Sequence, residues 1–208
     1  VDLAVFVVHC AEAMPKVVDH DLYRKELLEG CLKLFAERGY GSITMRQISE
    51  GLGVSTGRLY HYFPSKESIF MQLVQELCEQ DISSFFAQAP EVKTLEARLQ
   101  AVIGFVLQNA QYYHQQLLLW VDFFQQTREG SEEEVHFLRQ VWDRTRDTLA
   151  DYLQLSDPSV VDFLMIFFDG LIIQHIYNRG CKDQDWFDQQ SQLMIQMILH
   201  HEQLSSTP

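Results

Sequence analysis

Three helix N-termini crowd into residues 44–65, and that crowding limits the fold more than any other feature of the chain. Thr44-Met45-Arg46-Gln47 has the form of a capping box, in which Thr and Gln side chains satisfy backbone N–H groups at the helix start. Ile43 and Ile48 stand where a hydrophobic staple belongs. Gly51-Leu52-Gly53 ends that helix after about two turns. Ser55 starts a second short helix, with Val54 and Leu59 as its staple pair, and Pro64 forces a stop because the residue before a proline is driven out of the helical region. Ser65 starts a third. An earlier helix carries Tyr23, Leu27, Cys31, Leu34 and Phe35 on one face, with Asp21 as the expected N-cap and Gly39 as the stop. Two short helices joined by a tight glycine turn, with a helix on either side, make a helix-turn-helix arrangement.

The rest of the chain also has helical period, and no segment sustains the alternation of a strand. The pattern predicts helices over 65–88, 94–113, 114–127, 132–153, 158–178 and 185–203, with a loop over 128–131, a stop at Arg179-Gly180 and a frayed tail. Asp157-Pro158 opens the eighth helix with a cap and a proline in the first helical position. The expected fold is therefore all-α, with about nine helices. A chain of 208 residues can bury its own core without staples. Cys10, Cys31, Cys78 and Cys181 are too scattered for a CxxC site and read as ordinary thiols in the reducing cytoplasm. Residues 1–13 are apolar and lack a basic residue, which makes them too short for a membrane span and unlike a secretion signal. Residues 1–19 read as a leader, disordered or artefactual in part.

The net charge of −13 excludes a nonspecific nucleic-acid coat protein, because phosphate repels such a surface. The charge is unevenly spread. Between Met14 and Phe70 eight basic residues face seven acidic ones, whereas residues 71–208 hold eight bases and twenty acids. Only the N-terminal third can approach an anion comfortably. A recognition helix must bury one side and offer the other to the major groove. In Ser55–Tyr62, Leu59 faces inward, while Thr56, Gly57, Tyr60 and His61 share the outward face with Arg58 beside it. Free N–H groups at Thr44 and Ser65 suit phosphates, and Lys66 adds a cation.

The run GYGSITMRQISEGLGVSTGRLYHYFPSKESIF, residues 39–70, resembles the DNA-binding domain of the TetR family of bacterial transcriptional regulators. The matching elements are Gly39-Tyr40, Thr44, Ile48, Gly53-Val54-Ser55, Gly57, Leu59-Tyr60, Tyr62-Phe63 and Ser65-Lys66-Glu67, with an Asp169-Gly170-Leu171 triplet further on. The resemblance implies a nine-helix homodimer that acts as a ligand-controlled repressor on a palindromic DNA operator. It also implies phosphate contacts by Thr44, Tyr60, His61 and Lys66, and base-edge contacts near Thr56, Gly57 and Arg58. Arg46 and Ser55 complete the candidate DNA-binding set. Arg58 departs from the pattern, since smaller residues such as Thr are common there. The implied organisation is a DNA-binding domain over 20–70 and a ligand-binding and dimerisation domain over 71–208.

The eighth helix is apolar over most of its circumference and needs cover on nearly every side. The expected dimer face is Val161, Leu164, Phe168 and Ile172 with Met194, Met197 and Ile198 of the ninth helix, two such pairs forming a four-helix interface. Aromatics gather in helices five to seven, among them Tyr113 and Trp142. Phe105, Asn109, Tyr112, Trp120, Phe123, Phe124, Phe168 and His175 are the candidate ligand contacts, for an unidentified small molecule and no other cofactor. Such a ligand suits the acidic domain better when neutral or cationic. The rival classes are an enzyme and a helical interaction scaffold. No GxSxG, HExxH or P-loop occurs, so no catalytic residue is assigned. Asp19-His20-Asp21 reads as a cap region rather than a metal cluster, and no membrane partner is expected.

Overall fold

A computed structural model describes residues 19–126, 132–177 and 184–205. The expectations for the leader, the loop over 128–131, the stop at 179–180, Cys10, Cys181 and the last three residues lie outside the described residues. Within them are nine helices and no strand: α1 (His20–Arg38), α2 (Met45–Leu52), α3 (Thr56–Tyr62), α4 (Lys66–Gln88), α5 (Leu95–Gln108), α6 (Ala110–Gln126), α7 (Glu132–Leu153), α8 (Pro158–Tyr177) and α9 (Gln184–Ser205).

The capping chemistry explains the crowded starts. The Thr44 side chain accepts from the Gln47 N–H at 3.3 Å, and the Gln47 side chain accepts from the Thr44 N–H at 2.9 Å. Ser55 accepts from the Arg58 N–H, and Ser65 with Ser68 forms a second reciprocal box. Gly53 ends α2 at φ +68°, a left-handed conformation that glycine adopts without a Cβ penalty. Two expectations shift. The cap of α1 is Asp19, which accepts from the Asp21 and Leu22 N–H groups at 3.0 and 3.2 Å; Asp21 instead lies in the first turn, where its charge complements the helix dipole. The α5–α6 break falls at Asn109, not after Tyr113. The Asn109 amide donates to the Phe105 carbonyl at 2.8 Å and so competes with continuation of the helix.

Buried side chains form two cores. The first joins α1, α2 and α3 to the front of α4, and it continues past Phe70 through Leu73, Val74 and Leu77 to Leu119 and Phe123 of α6. Phe70 and Phe123 stack with centroids 3.7 Å apart, and Tyr40 meets Phe35, Phe70 and Phe123 edge-on. The second core unites α5, α8 and α9 with the end of α7. Arg98 is buried beside it and donates to the carbonyls of Tyr152 and Lys93, tying the α7 C-terminus to the turn before α5. By length and composition alone α8 could cross a membrane, with mean hydropathy 1.3 over Pro158–His175, but in the fold it packs on α6 and α7.

The expected dimer face needs correcting. Val161, Leu164, Phe168, Ile172, Met194 and Ile198 are buried within the chain itself, so they have almost no surface left to lose to a partner. A helix apolar on every side gives no sign of which stripe turns inward. The outward stripe of α8 is Phe163, Ile166, Gly170, Ile173 and Tyr177, spaced alternately by three and four residues as at a coiled-coil seam. Ile166 is 66% exposed and Tyr177 78%. On α9 the exposed apolar positions are Leu193, Met197 and Leu204, so Met197 is the one original candidate on this side.

Gly53 offers a clean check of the turn. A Cβ there meets open space, so a substitution costs only backbone strain. Gly53→Ala should lose about 1–2 kcal/mol and lower Tm by roughly 2–8 °C, with Gly53→Asn closer to the parent; thermal unfolding followed by circular dichroism measures both.

Candidate nucleic-acid interface and interior cavity

The helix-turn-helix face is built on two anchors. Leu59 and Phe63, both without exposed surface, fix α3 against the first core. With Leu59 turned inward, Gly57, Arg58, Tyr60 and His61 are turned out, and Tyr60 is 49% exposed. No side chain or backbone crowds Gly57, which leaves its backbone open to close approach. Thr56 is half-buried, with its hydroxyl 3.0 Å from that of Ser49. The Arg58 guanidinium lies 4.4 Å over the Tyr23 ring, a cation–π contact that holds it beside the α3 face. Tyr62 turns back to α1, where its hydroxyl meets His20 Nδ1 at 2.8 Å. On α2 Thr44 is exposed at the helix start, and Arg46 is exposed but paired to Glu50 at 2.9 Å.

Lys66 has an additional structural duty. Its ammonium donates to the carbonyls of Tyr40 and Ile43 at 2.7 and 3.1 Å and stands 4.3 Å over the Tyr40 ring. Partial burial holds its pKa below the usual lysine value. The side chain therefore ties the start of α4 to the α1–α2 turn. Two of its three N–H groups are taken by carbonyls, and one remains for a phosphate. The turn is held from the other side by Asp122 of α6, whose carboxylate accepts from the Gly41 N–H at 3.2 Å.

Below this lies an apolar cavity in two neighbouring lobes. The inner lobe, about 250 Å³, is walled by residues including Phe85, Phe105, Tyr113, Tyr152 and Phe168. The outer lobe, about 640 Å³, is walled by residues including Leu77, Cys78, Leu117, Trp120 and Phe124. Asp81, Ile82, Trp142, Thr145, Met165 and Asp169 border both. Of the candidate ligand contacts, Phe105, Phe168, Trp120 and Phe124 line a lobe. Four others do not. Phe123 is locked in the first core, Asn109 caps α5, His175 is exposed against Phe187, and Tyr112 bonds Asp81 from outside the lining.

Two carboxylates, Asp81 and Asp169, stand at the junction and are not among the candidate ligand contacts. Burial pushes the Asp81 pKa up to about 6, against the opposing pull of hydrogen bonds from Tyr112 and Gln116. Asp169 is more open, yet partial burial also holds it above the ordinary value. The signal was present in the spacing: Asp81 falls four residues after Leu77 and four before Phe85, on the apolar stripe of α4. An acid at a core position of a helix is rare enough to mark.

Residues 27–73 match the family profile described as bacterial regulatory proteins, tetR family. The chain carries a tetR-family DNA-binding domain over these residues. The HTH-type transcriptional regulator BetI of Brucella canis is 25% identical over 175 residues, covering 82% of this chain and 88% of that one. A putative transcriptional regulator from Saccharomonospora viridis, solved in complex with choline, superimposes with a TM-score of 0.66 at 21% identity over 86% of this chain and 97% of its own. FadR from Bacillus subtilis, solved with stearoyl-CoA, gives 0.64 at 18% identity over 83% and 96%. The structural likenesses establish the fold, and the family profile marks residues 27–73 as a helix-turn-helix DNA-binding domain of the tetR kind.

Asp81 yields a pH prediction. Its folded pKa lies above its ordinary value of 3.8, so the folded state holds the proton more tightly. Stability should therefore be highest below that value and fall as pH rises through about 6. Asp81→Asn keeps a group that can accept from Tyr112 and Gln116 and removes the buried charge. The variant should gain on the order of 1–2 kcal/mol at pH 7.5, or roughly 2–8 °C in Tm, and gain nothing at pH 3.5; a Tm-against-pH series decides it.

Proposed function

We propose that this regulator is a cytoplasmic homodimeric repressor that reads a palindromic operator through α3 and releases it when a small molecule enters the cavity. The observation that carries the reading is the outward face of α3. It joins an uncrowded glycine to hydrogen-bonding side chains only, on a helix held by buried Leu59 and Phe63. Residues 20–70 read DNA and residues 71–208 bind ligand and dimerise. Thr44, Ser55, Tyr60, His61 and Lys66 position the domain on phosphates, with Arg46 at the edge; Thr56, Gly57 and Arg58 stand at the bases. Two such heads about one DNA turn apart, roughly 34–36 Å, fit a palindrome. The choline and stearoyl-CoA complexes of proteins with this fold support control by a small molecule.

Two helices couple cavity to DNA. α4 holds the α1–α2 turn through Lys66 and carries Asp81 and Phe85 to the cavity. α6 holds the same turn through Asp122 and Phe123, and carries Trp120 and Phe124 to the outer lobe. A ligand that prefers one spacing of α4 and α6 shifts the reading heads, by as much as its affinity differs between the two states. The partner seam is the outward stripe of α8 and α9 around Ile166, Gly170 and Met197.

Selection of bound fragments from genomic DNA supplies the operator for the tests. On that duplex, parent affinity should fall steeply with salt, and Arg58→Ala should lose about 1–3 kcal/mol of base discrimination. Equal affinity for operator and random duplex in the parent would remove the reading. Ile166→Glu should shift the protein to monomer in analytical ultracentrifugation and weaken operator binding at least tenfold, whereas an unchanged dimer would move the seam elsewhere.

A further inference from the structure

The charge inside the cavity selects its ligand class. Asp81 and Asp169 border both lobes and so stand at their junction. Among the described residues the inner lobe is lined by no lysine, arginine or histidine. The outer lobe has Arg139, at the rim it shares with a surface hollow beside Glu132, Val135 and His136. Arg144, on the same helix, pairs with Glu79 at 3.1 Å. Asp81 accepts hydrogen bonds from the neutral Tyr112 and Gln116. The walls around these carboxylates are aromatic: Phe85, Phe105, Tyr113, Trp142, Tyr152 and Phe168.

Carboxylates moved toward a low-dielectric interior without a counter-charge cost free energy. A ligand anion placed between them adds a third negative charge. A neutral ligand gains only the walls. A cation offsets the carboxylates and meets the negative faces of the aromatic rings as well. We propose that the cavity binds an apolar organic monocation, an amine or quaternary ammonium whose nitrogen sits between Asp81 and Asp169 while its hydrocarbon body fills the lobes. This deepens the ligand-controlled reading above and rests on it.

The test uses three probes of one chain length: decyltrimethylammonium, decanol and decanoate, below their micelle concentrations. Binding to the full chain is read by calorimetry and by the fluorescence of Trp120 and Trp142, and function by release of the selected operator duplex. Decyltrimethylammonium should bind at least roughly tenfold more tightly than decanol, decanoate more weakly than decanol, and only the cation should release DNA at micromolar concentration. In Asp81→Asn/Asp169→Asn the cation's advantage should shrink to within about threefold, with operator affinity and circular dichroism reporting that the variant is folded. A cation preference that survives in the folded double variant overturns the assignment. Tighter binding of decanoate with DNA release overturns it too, and leaves ligand control standing. Failure of all three probes to bind also overturns it, and ligand control is then judged separately by operator release with a wider compound panel.

Discussion

The α1–α2 turn is the point on which the architecture depends, and Tyr40 is its centre. Its ring touches Phe35 of α1, Phe70 of α4 and Phe123 of α6 edge-on, and its carbonyl accepts from Lys66. Three helices thus meet at one buried aromatic in the turn. The consequence is mechanical. Interiors are close-packed, so a shift of α4 or α6 cannot be absorbed at Tyr40 and passes to the turn that sets the angle of α2 and α3. Lys66 and Asp122 reinforce the knot with polar contacts that reach the turn's backbone directly.

The same economy of contacts explains how an acidic protein can present a DNA-reading head. The surplus of acids lies beyond Phe70, and some of it borders the cavity, at the half-buried Asp81 and the more open Asp169. The surface proposed to face DNA is not strongly basic. It combines helix starts, hydroxyls, an imidazole and two arginines, of which one rests on Tyr23 and the other on Glu50. Both can be redirected from weak, exposed contacts at little cost.

Much of this was legible before any coordinates. The helix-turn-helix could be read because its signals are local: Thr44, Ser55 and Ser65 cap the helices they precede, and Gly53 must leave the right-handed region for the turn to close. The C-terminal part was legible as helices but not as faces. Little in the period of α8 distinguishes Leu164, which is fully buried, from Ile166, which is mostly exposed, because the helix is apolar over most of its circumference. Phe123 and Phe124 are adjacent and equally aromatic, yet one belongs to the first core and the other to the cavity wall. Which neighbour a hydrophobic side chain chooses is a tertiary matter. A carboxylate on an apolar stripe is different, since Asp81 is conspicuous by its misfit alone.

The outward stripe on α8 ties the protein's behaviour to its abundance. In the proposed dimer, copies would pair through Phe163, Ile166 and Ile173 by mass action, and a lone copy leaves these side chains in water. Halving the number of molecules per cell then removes more than half of the paired heads once the total nears the dissociation constant. On that proposal gene dosage would be a control input in its own right, sharpening the response at the operator.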